Sequence, residues 1–180
     1  PGCQRLLGHS SPKVTESHVT CSEEDVRQVA RWFVEKESGR KTSARNAFFG
    51  KVNSLARGDV QSLVEIVTPE GFHVSTMITN SSAERLGLKP GRLASAEIKA
   101  PWLILEDAGR PGRSSADNTC EGVIAKVYMG AVNVECEVRI HEKLKLCAIL
   151  STPGFQALGL GIGDKVRVLF SCYAVILHVD

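Results

Sequence analysis

The side chains best suited to nucleophilic, metal or redox chemistry are six cysteines, Cys3, Cys21, Cys120, Cys136, Cys147 and Cys172, and five histidines. A structural zinc site needs paired C-x-x-C ligands or histidines at finger spacing, and the chain has neither pattern. Cys136, Cys147 and Cys172 sit inside apolar, strand-like runs. There a thiol is expected to act as a small buried hydrophobe. A disulfide framework is not expected in a chain of this size and setting. No G-x-x-x-x-G-K-[ST] run occurs to cradle a nucleotide phosphate. No Ser/His/Asp set or pair of acids has a spacing that supports catalysis, so the chain is not expected to be an enzyme. The remaining chemistry is non-covalent recognition.

Bulk composition narrows what is recognised. The 180 residues are 43% apolar, enough for a packed core. Twenty-two basic residues balance 20 acidic ones, and a net charge of +2 creates no strong field toward nucleic acid or membrane. A single-strand-binding barrel needs aromatic stacking platforms and a basic groove, but aromatics are only 6%. No apolar run has the length of a transmembrane helix. The opening PGCQRLLGHSSPK lacks the apolar stretch of a signal peptide, so a cytoplasmic setting is expected.

The elements that must position a binding site come in duplicate. Shifting the sequence by 72 positions lays residues 43–107 on 115–179 without a gap. Ser43, Ala44 and Asn46 fall on Ser115, Ala116 and Asn118. Gly50 and Gly58 fall on Gly122 and Gly130, and Val60 and Glu65 on Val132 and Glu137. Leu86-Gly87-Leu88 falls on Leu158-Gly159-Leu160, Gly91 on Gly163, and Ile104-Leu105 on Ile176-Leu177. Glycines and apolar positions dominate the matches, as expected if both copies keep the same turns and core.

Each copy reads as a small β unit. In the first, strands are expected over 47–56, Val60–Thr68, Phe72–Ile78 and Leu93–Leu105, joined by turns at Arg57-Gly58-Asp59 and Pro69-Glu70-Gly71. One short helix is expected after Ile78, with Ser81 and Glu84 as a capping box and Gly87 just past its end. The second copy offers Thr152 as a cap followed by Pro153. The fold class is therefore mainly β: two tandem small OB-like barrels, each with one short helix. Residues 1–41 form an extension whose run from Ser22 carries Val26, Val29, Ala30, Phe33 and Val34 on one helical face. The expected domains are 1–41, a first repeat over 42–107, a linker over 108–114, and a second repeat over 115–180.

Three motifs resemble a known family. Thr42-Ser43-Ala44-Arg45-Asn46 with Gly50, the stretch Ile78–Leu88, and Ile98-Lys99-Ala100-Pro101-Trp102 are similar to the opening, helix segment and last strand of the Mop (molybdenum-pterin-binding, TOBE-like) domain. The first and third motifs especially resemble the molybdate-sensing half of ModE-type molybdenum-responsive transcription regulators. The resemblance implies binding of molybdate, or its analogue tungstate, for storage, buffering or homeostasis. It also implies a homodimer or larger oligomer with oxyanion sites at subunit contacts. Carried over residue by residue, it implies Ser43, Arg45, Thr79, Ser82 and Lys99 as the ligand residues, with no metal bound except as the oxyanion. A tetrahedral dianion offers only acceptors, so hydroxyls, N–H groups and cations are the right chemistry for it. The lysine is expected on a strand.

The second copy departs from the pattern at three of these positions. Asp117, Gly154 and Ser171 stand where the first has Arg45, Ser82 and Lys99, whereas Ser115 and Ser151 keep a hydroxyl. An acid beside a dianion and a missing lysine predict that this copy lacks the same site. The alternative function is the effector half of a regulator without its winged-helix domain, for which 42 leading residues are too few, so this chain alone is not expected to bind DNA. A second resemblance links Leu7–Glu16 to the catalytic segment of tyrosine recombinases. The position of that family's nucleophile holds His18, and no strand-transfer activity is expected.

Overall fold

The computed structural model describes residues 22–39 and 45–180. Ser43, Cys3, Cys21 and the recombinase-like run at 7–18 lie outside the described residues. Among the described residues, ten strands form two five-stranded sheets, each belonging to one compact unit.

Unit 1 contains α1 (Glu23–Gly39), β1 (Asn46–Arg57), β2 (Gln61–Val67), β3 (His73–Thr79), α2 (Asn80–Arg85) and β4 (Leu93–Ile98). Its fifth strand is β10 (Ile176–His178), from the far end of the chain, and the sheet order is β10-β4-β1-β2-β3. Unit 2 contains β5 (Ile104–Asp107), β6 (Asn118–Met129), β7 (Asn133–His141), β8 (Leu144–Ser151), α3 (Thr152–Leu158) and β9 (Lys165–Phe170), in the order β5-β9-β6-β7-β8. Each repeat therefore donates its last strand to the sheet of the other. The expected single strand Leu93–Leu105 is a correction: the chain leaves β4 at Lys99 and makes a 3-10 turn at Ala100–Trp102 before β5 begins. Pro101 lacks the N–H that a continuing ladder needs. Proline is not the whole cause, because the second repeat turns over Cys172–Ala174 without one. Both turns open on a small buried residue, Ala100 or Cys172. Cys172 thus lies buried in a turn, while Cys136 and Cys147 are strand residues.

Period-two alternation supplies both cores. Val64, Ile66, Val74, Ala94 and Ala96 fill unit 1, and Ile124, Val134, Val138, Leu146, Val166 and Val168 fill unit 2. The long first strand of each repeat bends at a register shift, between Val52 and Ser54 in β1 and between Ile124 and Lys126 in β6. Such bulges increase the local twist and let a five-stranded sheet curl.

Gly50, the last residue of the opening motif, is required by close approach. A Cβ there would stand 2.1 Å from the Val67 carbonyl oxygen and 3.1 Å from Ile66 Cγ2. Gly122 meets the Arg139 carbonyl oxygen at 2.7 Å in the same way. Gly50→Ala is expected to destabilise the protein by roughly 2–3 kcal/mol, since the clash is with backbone and cannot be relieved by a rotamer change. Chemical denaturation checks this. A change within about 0.5 kcal/mol, as at ordinary surface sites, would mean that β1 and β2 separate there without cost.

Helix α1 belongs to unit 1. Ser22 caps it, accepting from Asp25 N at 3.2 Å while Asp25 Oδ2 accepts from Ser22 N at 2.9 Å. Val29 and Trp32 pack on Phe49, flanked by Ala47 and Leu93, with the Trp32 and Phe49 rings edge to face at 5.6 Å. Lys51 Nζ donates to Asp25 Oδ2 at 2.8 Å, and this bond, with those from Ser22, lowers the Asp25 carboxyl to about 2.

Candidate functional site

Unit 1 gathers hydroxyls where β3 runs into α2. Thr79 is the N-cap of this helix, and its Oγ1 accepts from Ser82 N at 3.1 Å. The same oxygen lies 2.8 Å from Ser82 Oγ and 3.2 Å from Ser81 Oγ. Thr79 and Ser82, both proposed from the sequence, are thus brought into direct contact, with Ser81 beside them. The expected capping box of Ser81 and Glu84 is a correction. The helix starts earlier, at Asn80, so Ser81 falls inside it, and Glu84 instead accepts from Arg57 Nη1 at 2.8 Å. The end is as expected: Gly87 adopts φ 63°, Gly87 N donates to Glu84 O, and Leu88 N donates to Ala83 O.

Asn80 holds this corner in place. Its Nδ2 donates to Gly58 O at 3.0 Å, its Oδ1 accepts from Ser62 Oγ at 2.6 Å, and its N donates to Val60 O at 2.8 Å. The turn between β1 and β2 is thereby bolted to the first residue of α2. Sequence reasoning missed Asn80, and the second repeat gives no hint of it, since Thr152 occupies the matching position. Thr152 N donates to Val132 O and its hydroxyl to Gly130 O, the same bolt made with other atoms.

Unit 2 places the cations. Asn46, the first residue of β1 and counted with this unit, is buried. Its Nδ2 donates to Cys147 O at 2.9 Å and to Ile98 O at 3.2 Å, and its Oδ1 accepts from Cys147 N at 2.6 Å. Arg45 and Lys99 are the chain neighbours of two residues that this clasp joins. Lys99 is exposed and forms the N-cap of the 3-10 turn, without a side-chain cap bond. Its expected position on a strand is a correction, because β4 ends one residue earlier. Arg45 Nη1 pairs with Glu135 Oε1 at 3.0 Å and donates to Cys147 Sγ at 3.5 Å. The Glu135 bond, then the Cys147 contact, raises the Arg45 pKa further and keeps the guanidinium charged. Asn46 stood in the sequence motif, but neither Glu135 nor Cys147 gave a sequence signal.

The second repeat's counterparts differ in chemistry. Ser151, not Thr152, caps α3 and accepts from Gly154 N at 3.0 Å, which moves Pro153 one place inside the expected first helical position. A Cβ on Gly154 would stand 2.8 Å from Ser151 Oγ. Asp117 Oδ2 accepts from Cys172 N at 2.8 Å. Ser171, in place of Lys99, accepts from Tyr173 N. Among the described residues, no group of three His, Cys, Asp or Glu side chains is placed to hold a metal ion. None of the described helices is long and apolar enough to cross a membrane.

A family model for the TOBE domain matches residues 42–105 and 114–177. The chain is 34% identical over 137 residues to the molybdenum-pterin-binding protein MopA of Rhodobacter capsulatus, covering 76% of this chain and 52% of that protein. It is 34% identical over 139 residues to the transcriptional regulator ModE of Yersinia pestis, again covering 76% and 52%. The chain thus spans about half the length of the curated relatives it matches. A crystal structure of the cytoplasmic molybdate-binding protein ModG, with molybdate bound, superposes with a TM-score of 0.74 at 31% identity, covering 78% of this chain and 99% of that one.

Proposed function

Because the chain belongs to the TOBE domain family and carries two copies in tandem, we propose that it binds molybdate, or the analogous tungstate, in intracellular molybdenum storage, buffering or homeostasis. The observation that carries this reading is the likeness to ModG, which spans nearly all of a protein described as molybdate-binding. The chemistry of the residues agrees. The hydroxyls of Thr79 and Ser82 and the cations of Arg45 and Lys99 offer donors and positive charge to a ligand made only of acceptors. These four and Ser43 are the proposed ligand residues. The first repeat's set is proposed as the working one, since Asp117, Gly154 and Ser171 remove its cations and one hydroxyl. Binding rather than catalysis, a cytoplasmic setting and assembly into a homodimer or larger oligomer belong to the same reading. So do the domain limits 1–41, 42–107, 108–114 and 115–180.

Calorimetric titration tests it. Molybdate and tungstate are expected to bind, and sulfate and phosphate at equal concentration are expected to leave binding largely intact. The proposed donors include little that would favour a protonated oxygen, and sulfate is the smaller ion. Full competition by sulfate would refute a dedicated site. A second reading, the effector half of a larger regulator, is favoured by one observation: this chain matches about half of ModE.

A further inference from the structure

The arginine proposed as a ligand already holds an anion. We propose that Glu135 is the internal counter-anion of Arg45, and that an oxyanion engages this guanidinium only by displacing the Glu135 carboxylate, making Glu135 a positioning residue that sets the affinity threshold. This rests on the molybdate reading of the site.

Three observations carry it. First, the pair is built to open. Both contacts of Arg45 fall on Nη1, with Glu135 Oε1 at 3.0 Å and Cys147 Sγ at 3.5 Å. A one-point contact at a single nitrogen is weaker than the two-point engagement that a ligand with several acceptor oxygens offers, so such a ligand can take Nη1 from Glu135. The side chains are 49% and 39% exposed, against 8% and 28% for Lys51 and Asp25. A pair so open to water shifts an equilibrium by only about twofold to fivefold, which a doubly charged ligand can exceed.

Second, the acid is specific to this arginine. The 72-residue shift sets Glu135 on Leu63, Cys147 on Ser75 and Arg45 on Asp117. Where the repeat has an acid instead of arginine, the counterpart of Glu135 is uncharged. Strand β7 thus carries the carboxylate in the repeat that faces a cation.

Third, the backbone beneath the pair is tied down while its side chains reach water. Asn46 ties the start of β1 to Cys147 N and O on β8 by bonds of 2.6 and 2.9 Å. Opening the ion pair moves one guanidinium and one carboxylate and leaves the strands in place.

The test uses the full chain with sodium molybdate. Glu135→Gln is expected to bind molybdate about twofold to fivefold more tightly, having lost the competing charge of an exposed pair. Glu135→Asp is expected to bind as the wild type does, within about 1.5-fold, because it keeps the charge. A carboxylate that served only the fold would give weaker binding in Glu135→Gln, and unchanged or weaker binding overturns the proposal. A double-mutant cycle of Arg45→Gln and Glu135→Gln, read by chemical denaturation, adds a second readout. The coupling is expected without molybdate and is expected to vanish at saturating molybdate. No coupling without molybdate overturns the ion pair. Coupling that persists in a molybdate-saturated protein overturns the displacement alone. If the wild type binds no molybdate, the molybdate reading fails and the displacement fails with it.

Discussion

Removing residues 175–180 is expected to unfold the first repeat before the second. Strand β10 pairs with β4 through Ile176 with Glu97, Leu177 with Ala96, and His178 with Ser95. Val175 and Leu177 are 5% and 8% exposed. Burial of two such side chains contributes roughly 1.5–3 kcal/mol each. The fully buried Thr76 donates its hydroxyl to Val175 O at 3.1 Å, and a buried hydroxyl without that acceptor costs a further 1–3 kcal/mol or so. Glu97, 4% exposed, also loses the His178 imidazole at 3.1 Å. The sum, roughly 4–9 kcal/mol, rivals the whole stability of a small domain. Hydrogen exchange of the truncated chain is the measurement. Amides of β1 to β4 should lose protection, while those of β6 to β8 keep it. Loss confined to β6 to β8 would reject the exchange of last strands.

For Lys99→Ala, the expected result is a loss of about 2–5 kcal/mol in molybdate binding, by analogy with truncating one partner of a buried, hydrogen-bonded charge pair at an interface, since a bound dianion would cover the lysine. Stability should move by no more than about 0.5 kcal/mol, because the side chain is exposed and makes no ion pair among the described residues. This separation of binding from folding makes Lys99 the cleanest probe of the proposed site. Ser171→Ala, at the matching place, should cost little binding, since that repeat already has Gly154 for Ser82 and Asp117 for Arg45. Equal losses for both variants would mean that the repeats bind alike. No loss for Lys99→Ala would leave Thr79 and Ser82 to hold a dianion at physiological salt without that lysine.

The repeat, the turns and the short helices were legible because they rest on local chemistry. Gly87 and Gly159 stand at helix ends with φ near 65°, and Gly50 sits where only a hydrogen fits. Alternation such as Val64 and Ile66, or Val166 and Val168, marked the core strands. The exchange of last strands was not legible, for a physical reason. Ile104-Leu105 and Ile176-Leu177 are the same dipeptide, so either could complete either sheet. The starts of the two short helices were legible only to within one or two residues, because Thr79, Ser81 and Ser82 can all cap and geometry selects among them. In the site, residue types were legible and partners were not. Glu135 lies 90 positions from Arg45, and no spacing connects them.

The loan of β10 to the first sheet also bears on how the protein is made. Its partners on β4 are about 80 residues upstream, so this is the most widely separated strand pairing among the described residues. Contacts of that separation slow folding, because loop closure must precede any gain from pairing. On the ribosome the consequence is sharper. At synthesis rates of about 5–20 residues per second, β4 waits roughly 4–16 s for its neighbour. Throughout that interval the nascent first repeat carries an open sheet edge, a natural place for a chaperone to hold and for a stalled or truncated product to aggregate.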